Sequence, residues 1–242
     1  MHMGNARGGA LGDCLAAVLD AAGYDVWREF YVNDAGNQIE KFGVSLEARY
    51  LQLHLGEEAV EFPEDAYHGD DIKEHAAAFS ALYGDKYVRA SSEERRKALV
   101  DYALPLNIEK MHRDMEKYRI VYDEWFHEST LHQSGQVADT IRLLTERGLT
   151  YEKEGALWYK ASEYGGEKDE VLIRANGHPT YFAADIAYHR NKFARGFDTC
   201  IDVWGADHHG HVARLKGALD ALGLNGSERL DIVLMQLVKL LR

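Results

Sequence analysis

Cys200-Ile201-Asp202-Val203-Trp204 is followed by Gly205-Ala206-Asp207-His208, an amphipathic run to Leu222 and Gly223, and then the apolar stretch Asp231-Ile232-Val233-Leu234-Met235-Gln236-Leu237-Val238. Read in order, these are a buried strand, a turn, a helix from about His208 to Leu222 closed by glycine, and a second buried strand. The same punctuation continues upstream. Tyr181 to Arg195 predicts a helix stopped by Gly196, Ala156–Lys160 and Val171–Arg174 predict strands flanking a polar loop, and Gln136 to Arg147 predicts a helix ending at Gly148. Near the start, Leu11, Cys14, Leu15, Val18, Leu19 and Ala22 share one face of a helix over about Ala10–Ala22. A short strand Val26–Val32, a polar turn Asn33–Asn37 and a helix from Gln38 to about Leu55 follow. Strands alternating with helices at this spacing predict an α/β fold, a mostly parallel sheet with helices on both faces.

The stretch from Gly56 to about Lys117 differs. It holds Pro63 and Pro105 and the charge run Glu93-Glu94-Arg95-Arg96-Lys97, and it reads as a helical insertion with a solvated face. The expected division is 1–55 and 128–242 as two parts of one α/β domain, with 56–127 as a mostly helical insertion. Composition bounds the function. With 242 residues, 46% hydrophobic and 28% charged, the chain buries a sizeable core. Lys plus Arg number 28 against 40 Asp plus Glu, a net charge of −12, which argues against a dedicated nucleic-acid clamp but not against a basic strip on a larger protein. Cys14 and Cys200 are the only cysteines and form no CxxC pair, so a disulfide framework and a thiolate zinc site are excluded and a reducing compartment fits. No apolar run reaches the length of a membrane span, and Met1-His2-Met3-Gly4-Asn5 has no signal-peptide pattern, so a soluble intracellular protein is expected.

His2-x-Gly4-Asn5-x-Arg7-Gly8-Gly9-x-x-Gly12-Asp13 precedes the first predicted helix. Glycines let backbone N–H groups approach a ligand, a helix N-terminus favours phosphate, and His2 and Asn5 are hydrogen-bond donors for phosphate oxygens. Close packing of the helix explains the same glycines equally well, since neither GxGxxG nor a P-loop lysine is present. His2 is the second residue, where chains fray. A chemistry-bearing residue at such an end suggests a piece of a longer polypeptide. His208, His209 and His211 cluster, but no cysteine or HExxH pattern completes a tetrahedral set, so no structural metal is expected.

Several blocks together resemble one family. They are His2-Met3-Gly4-Asn5 through Asp13, Ala22-Gly23-Tyr24 with Arg28–Gln38, Glu154-Gly155-Ala156-Leu157-Trp158, Thr180–His189, and Trp204-Gly205-Ala206-Asp207-His208-His209-Gly210-His211. His2-Met3-Gly4-Asn5 resembles the HIGH signature of class I aminoacyl-tRNA synthetases, and the full set resembles arginyl-tRNA synthetases. The resemblance implies a Rossmann-type catalytic domain that activates arginine with ATP, with Mg²⁺ carried on the phosphates, and transfers it to tRNA(Arg). It implies that His2 and Asn5 are the catalytic pair holding the ATP phosphates, Asn5 standing where the family has a second histidine. Gly4, Gly8, Asp207, His208 and His211 complete the ATP set, Asp207 on the ribose. Tyr181 and Asp185, four apart and so on one helix face, would take the arginine guanidinium with Gln38 and Glu154 as further pocket candidates. Without the family, Asp185 reads as well as a favourable charge near a helix start, and Gln38 and Glu154 read as well as ordinary turn residues.

Relative to the family, an upstream strand and N-terminal domain, a KMSKS-like loop after Val238-Lys239-Leu240-Leu241-Arg242 and an anticodon-binding domain are missing. A catalytic-domain fragment, inactive or nearly so alone, monomeric and cytoplasmic, is therefore expected. Another class I synthetase-like nucleotidyltransferase, or a non-catalytic module that kept the nucleotide fold, are the alternatives.

Overall fold

The computed structural model of the chain describes residues 3–236, the side chain of Asn5 excepted. Two compact units are present: one built from the chain up to Val32 and from Arg119 onward, the other from Asn33–Tyr118. The first unit opens with helix α1 (Met3–Ala21) and strand β1 (Glu29–Val32).

The second unit is helical: α2 (Asn37–Leu55), α3 (Asp70–Tyr83) and α4 (Ser92–Lys117). Phe42, Leu46 and Tyr50 recur every fourth residue on α2 and pack with Ile72, Ala76 and Phe79 of α3 and Leu99 and Ala103 of α4. Ser91 caps α4, its Oγ accepting from Glu94 N at 3.2 Å. The run Glu93–Lys97 is not wholly a solvated face. Arg95 is buried and donates through Nε to Glu47 Oε1 at 3.0 Å, Ser92 Oγ donates to the same oxygen at 2.7 Å, and Arg96 donates to Oε2. A buried carboxylate at Glu47 requires those partners. The helical unit therefore starts earlier and ends sooner than the expected 56–127, because α2 packs on α3 and α4 and because 124–127 is a strand of the first unit.

Back in the first unit come β2 (Glu124–His127), α5 (Glu128–Gln133), α6 (Gln136–Glu146), β3 (Thr150–Lys153), β4 (Ala156–Tyr159), β5 (Glu170–Ile173) and α7 (Tyr181–Ala194). They are followed by β6 (Cys200–Gly205), α8 (His209–Ala221), α9 (Gly226–Arg229) and β7 (Leu230–Met235). β1 pairs with β2 in parallel, Phe30 against Trp125, and β6 pairs with β7 in parallel, Val203 against Val233. The core under them contains Leu131, Leu144, Tyr159, Leu172, Phe182, Ile186, Leu215 and Leu219.

The α/β character and the parallel crossovers are those expected, but the strands do not join in one sheet among the described residues. β3, β4 and β5 form a separate antiparallel sheet. The cause is local: Glu154 and Gly155 both have positive φ, +54° and +74°, the two-residue turn that folds β3 straight back onto β4. The glycine-rich start also differs from expectation. It is not a loop before a helix at Ala10 but part of α1 from Met3 onward, its glycines included. Gly8 and Gly12 lie one turn apart against Val203 of β6, and packing on that strand overrides the poor helix propensity of glycine.

Candidate active site

The site is built on one face of α7. Tyr181, Asp185, His189 and Lys192 are spaced four, four and three residues apart, so the helix stacks them in a single stripe. Asp202 on β6 receives the lower half of that stripe. His189 Nε2 lies 2.6 Å from Asp202 Oδ2 and Lys192 Nζ lies 2.7 Å from Oδ1, while His189 Nδ1 meets the carbonyl oxygen of Asp185 at 2.8 Å. Burial alone would raise the Asp202 carboxyl, but Lys192 and His189 outweigh it and hold the group below the usual carboxylate range. A charge so placed fastens α7 to β6.

The upper half of the stripe meets α8. His211 Nε2 is 2.7 Å from Asp185 Oδ2, and Arg214 donates from Nε to His211 Nδ1 at 2.9 Å. The same guanidinium donates to Glu170 Oε1 of β5 at 2.6 Å and to the Tyr181 hydroxyl at 2.8 Å, and it lies 5.6 Å from the Phe182 ring centroid. Trp204 stands among these groups, its ring centroid 5.4 Å from that of His211 and 6.0 Å from that of His208.

At the carboxyl end of β6 the chain turns through Gly205 into a short 3₁₀ turn, Ala206–His208. A Cβ on Gly205 would stand 2.4 Å from Asp207 Oδ1, so glycine there leaves room for that carboxylate to fold back over the strand end. Strand ends of this kind are where α/β folds receive ligands. Tyr181, His211, Arg214, Asp207 and His208 line one cleft of about 360 Å³, with Glu170, Glu167 and Lys168 also at its edge. Asp207 and His208 are exposed, and His208 Nδ1 lies 3.2 Å from Asp207 Oδ1.

The structure thus brings Tyr181, Asp185, Asp207, His208 and His211 together. Both ring nitrogens of His211 are committed to protein partners, and Asp185 sits behind that ring. Gly4 and Gly8 lie on α1, and Gly8 touches β6 two residues before Gly205. Glu154 is exposed in the β3–β4 turn and does not line the cleft, and Gln38 is exposed on α2 in the helical unit. His2 and the side chain of Asn5 lie outside the described residues. Sequence reasoning missed His189, Lys192, Asp202, Glu170 and Arg214. The signal for the first two was present, since a helix otherwise apolar on its inner face carries polar residues at 181, 185, 189 and 192. Arg214 three residues after His211 is the matching mark on α8. Burial pushes the Cys200 thiol up to about 11, which removes it as a nucleophile.

Three comparisons bear on this geometry. A family model described as "tRNA synthetases class I (R), catalytic domain" matches residues 1–226. Arginine–tRNA ligase of Ruminiclostridium cellulolyticum is 66% identical over all of this chain and 43% of its own length, and that of Acetivibrio thermocellus is 62% identical over the same shares. The chain therefore spans less than half the length of these relatives. A crystal structure described as a putative arginyl-tRNA synthetase from Campylobacter jejuni superimposes with a TM-score of 0.85 at 37% identity, over 98% of this chain and 51% of that one. Arginyl-tRNA synthetase from Plasmodium falciparum, at 17% identity and a TM-score of 0.69, shares the fold.

Proposed function

The chain belongs to the catalytic-domain family of the class I arginine-type tRNA synthetases, and from that premise we propose that it is the arginine- and ATP-binding part of a longer arginine–tRNA ligase. The observation that carries the proposal is the carboxylate held behind the cleft, against His211. A guanidinium needs planar, anionic acceptors, and Asp185 supplies a carboxylate whose Oδ2 is already oriented by His211. Tyr181 adds a hydroxyl and a ring one helical turn away.

In this reading Tyr181 and Asp185 receive the arginine side chain. Asp207 and His208 receive the nucleotide, Asp207 accepting from the ribose hydroxyls, and Gly4 and Gly8 give the nucleotide room along α1. His2 and Asn5 contribute donors for the phosphates, and ATP enters as its Mg²⁺ complex. His211 acts by holding Asp185. The arginine carboxylate attacks the α-phosphorus, an arginyl-adenylate forms and pyrophosphate leaves. The nucleophile is already an anion, so the protein's task is placement and charge stabilisation, not proton abstraction. Transfer to tRNA(Arg) follows in the longer enzyme. A monomer working in the cytoplasm completes the reading; among the described residues no helix is long and apolar enough to cross a membrane.

The test is Asp185→Asn in a ligase of full family length carrying this segment. Arginine affinity falls by tenfold or more while ATP affinity changes less than twofold; equal losses for both ligands would remove Asp185 from the pocket. The chain by itself is expected not to release pyrophosphate at a normal enzyme rate when given ATP, arginine and tRNA.

A further inference from the structure

We propose that Arg214 is a positioning residue that locks the His211 imidazole in its neutral Nε2–H tautomer, so that the ring donates to Asp185 and fixes which carboxylate oxygen is left for a cationic ligand. The last clause rests on the reading of Asp185 given above; the lock itself does not. A guanidinium N–H only donates. Arg214 Nε lies 2.9 Å from His211 Nδ1, so Nδ1 presents a lone pair, and the ring proton sits on Nε2, 2.7 Å from Asp185 Oδ2. The other tautomer would set two donors against each other at one contact and a lone pair against a carboxylate at the other. His211 is 3% exposed, so water does not relieve either clash.

Every neighbouring element contributes to the same state. From α7 the ring meets Asp185 and the rings of Tyr181 and Phe182, each 5.5 Å away between centroids; from β6 it meets Trp204; from its own helix it meets Arg214. Glu170 of β5 and the Tyr181 hydroxyl hold the far side of the Arg214 guanidinium, which keeps Nε aimed at His211. His208 and Asp207 share the cleft without a hydrogen bond to the ring. A cation on one side and an anion on the other leave the imidazole as a neutral relay. Asp185 Oδ2 is then occupied by the ring N–H, and no imidazolium offsets the carboxylate. An imidazolium at this position would instead cancel the charge that attracts a guanidinium.

The experiment is ligand-free NMR of the ring nitrogens in the whole chain labelled with ¹⁵N-histidine, the His211 signal being assigned by its loss in His211→Gln. The expected result is a neutral ring protonated on Nε2 alone at pH 7, a ring protonated on both nitrogens in Arg214→Met, where nothing donates to Nδ1 and Asp185 still accepts from Nε2, and retention of the neutral Nε2–H form in Arg214→Lys, which keeps a donor. An Nδ1–H ring in the parent chain overturns the proposal even if neither Arg214 variant folds, and so does a ring that stays neutral in a folded Arg214→Met. Arginine titrated into the same samples is expected to bind about tenfold more weakly to Arg214→Met. If the ring gains its second proton and arginine affinity does not change, or if arginine binds neither form, the assignment of Asp185 to arginine fails while the lock stands.

Discussion

Asp202 shows how one buried side chain sets the geometry of the whole α7 stripe. Its two oxygens are taken by His189 and Lys192, and His189 in turn holds the Asp185 carbonyl. Asp202→Asn leaves Lys192 buried without an anion, which is expected to cost about 3–5 kcal/mol in a urea melt at pH 7. The pH dependence follows from the depressed carboxyl. A group whose folded value lies below its unfolded value stabilises the fold above the unfolded value, about 3.9, and loses that contribution as pH falls through the folded one. The gap between parent and Asp202→Asn should therefore be full above about pH 4 and narrow steadily below it; a gap that stays constant down to pH 2 would show that the carboxylate is not the source.

At the scale of elements, the glycines separate into two physical classes. A Cβ on Gly12 of α1 would stand 3.7 Å from Val203, ordinary contact, so Gly12→Ala gains helix propensity and is expected to be neutral or stabilising by up to about 1 kcal/mol. Gly217 of α8 is the reverse case. A Cβ there would fall 1.8 Å from the Tyr164 carbonyl oxygen, and Gly217→Ala should cost about 3 kcal/mol, the upper part of the overpacking range. Thermal melts of the two variants check the pair; similar melting temperatures would mean that α8 shifts freely against the Tyr164 turn. Element existence was legible where periodicity was strong, as in α2, α7, α8 and β6. It was not legible for β2, whose Glu124-Trp125-Phe126-His127 is too short to show alternation and gains its strand geometry from parallel pairing with β1. Nor was the α1 start legible, because glycines signal a loop locally and become helical only through the β6 surface they pack on.

For the whole molecule, the α/β punctuation and the family blocks led to the right architecture and the composition shift to a helical insertion, while the inclusion of α2 in the helical unit over Asn33–Tyr118 rests on tertiary packing that no local pattern announces. The candidate site was half legible. Tyr181, Asp185, Asp207, His208 and His211 were candidates through the family blocks, Tyr181 and Asp185 also by their four-residue spacing, and the structure brings them near one another. Arg214 and Glu170 come from α8 and β5, 44 residues apart, and only the fold brings them to 2.6 Å. What the molecule then offers is a cleft with an oriented carboxylate behind it, and the proposed function turns on recognition of a guanidinium by charge. Calorimetry of the chain with arginine and with citrulline, the neutral analogue of the same shape, tests this most directly. Arginine is expected to bind at least tenfold more tightly than citrulline, with the difference lost in Asp185→Asn; equal affinities in the parent chain, or a preference that survives Asp185→Asn, would contradict it.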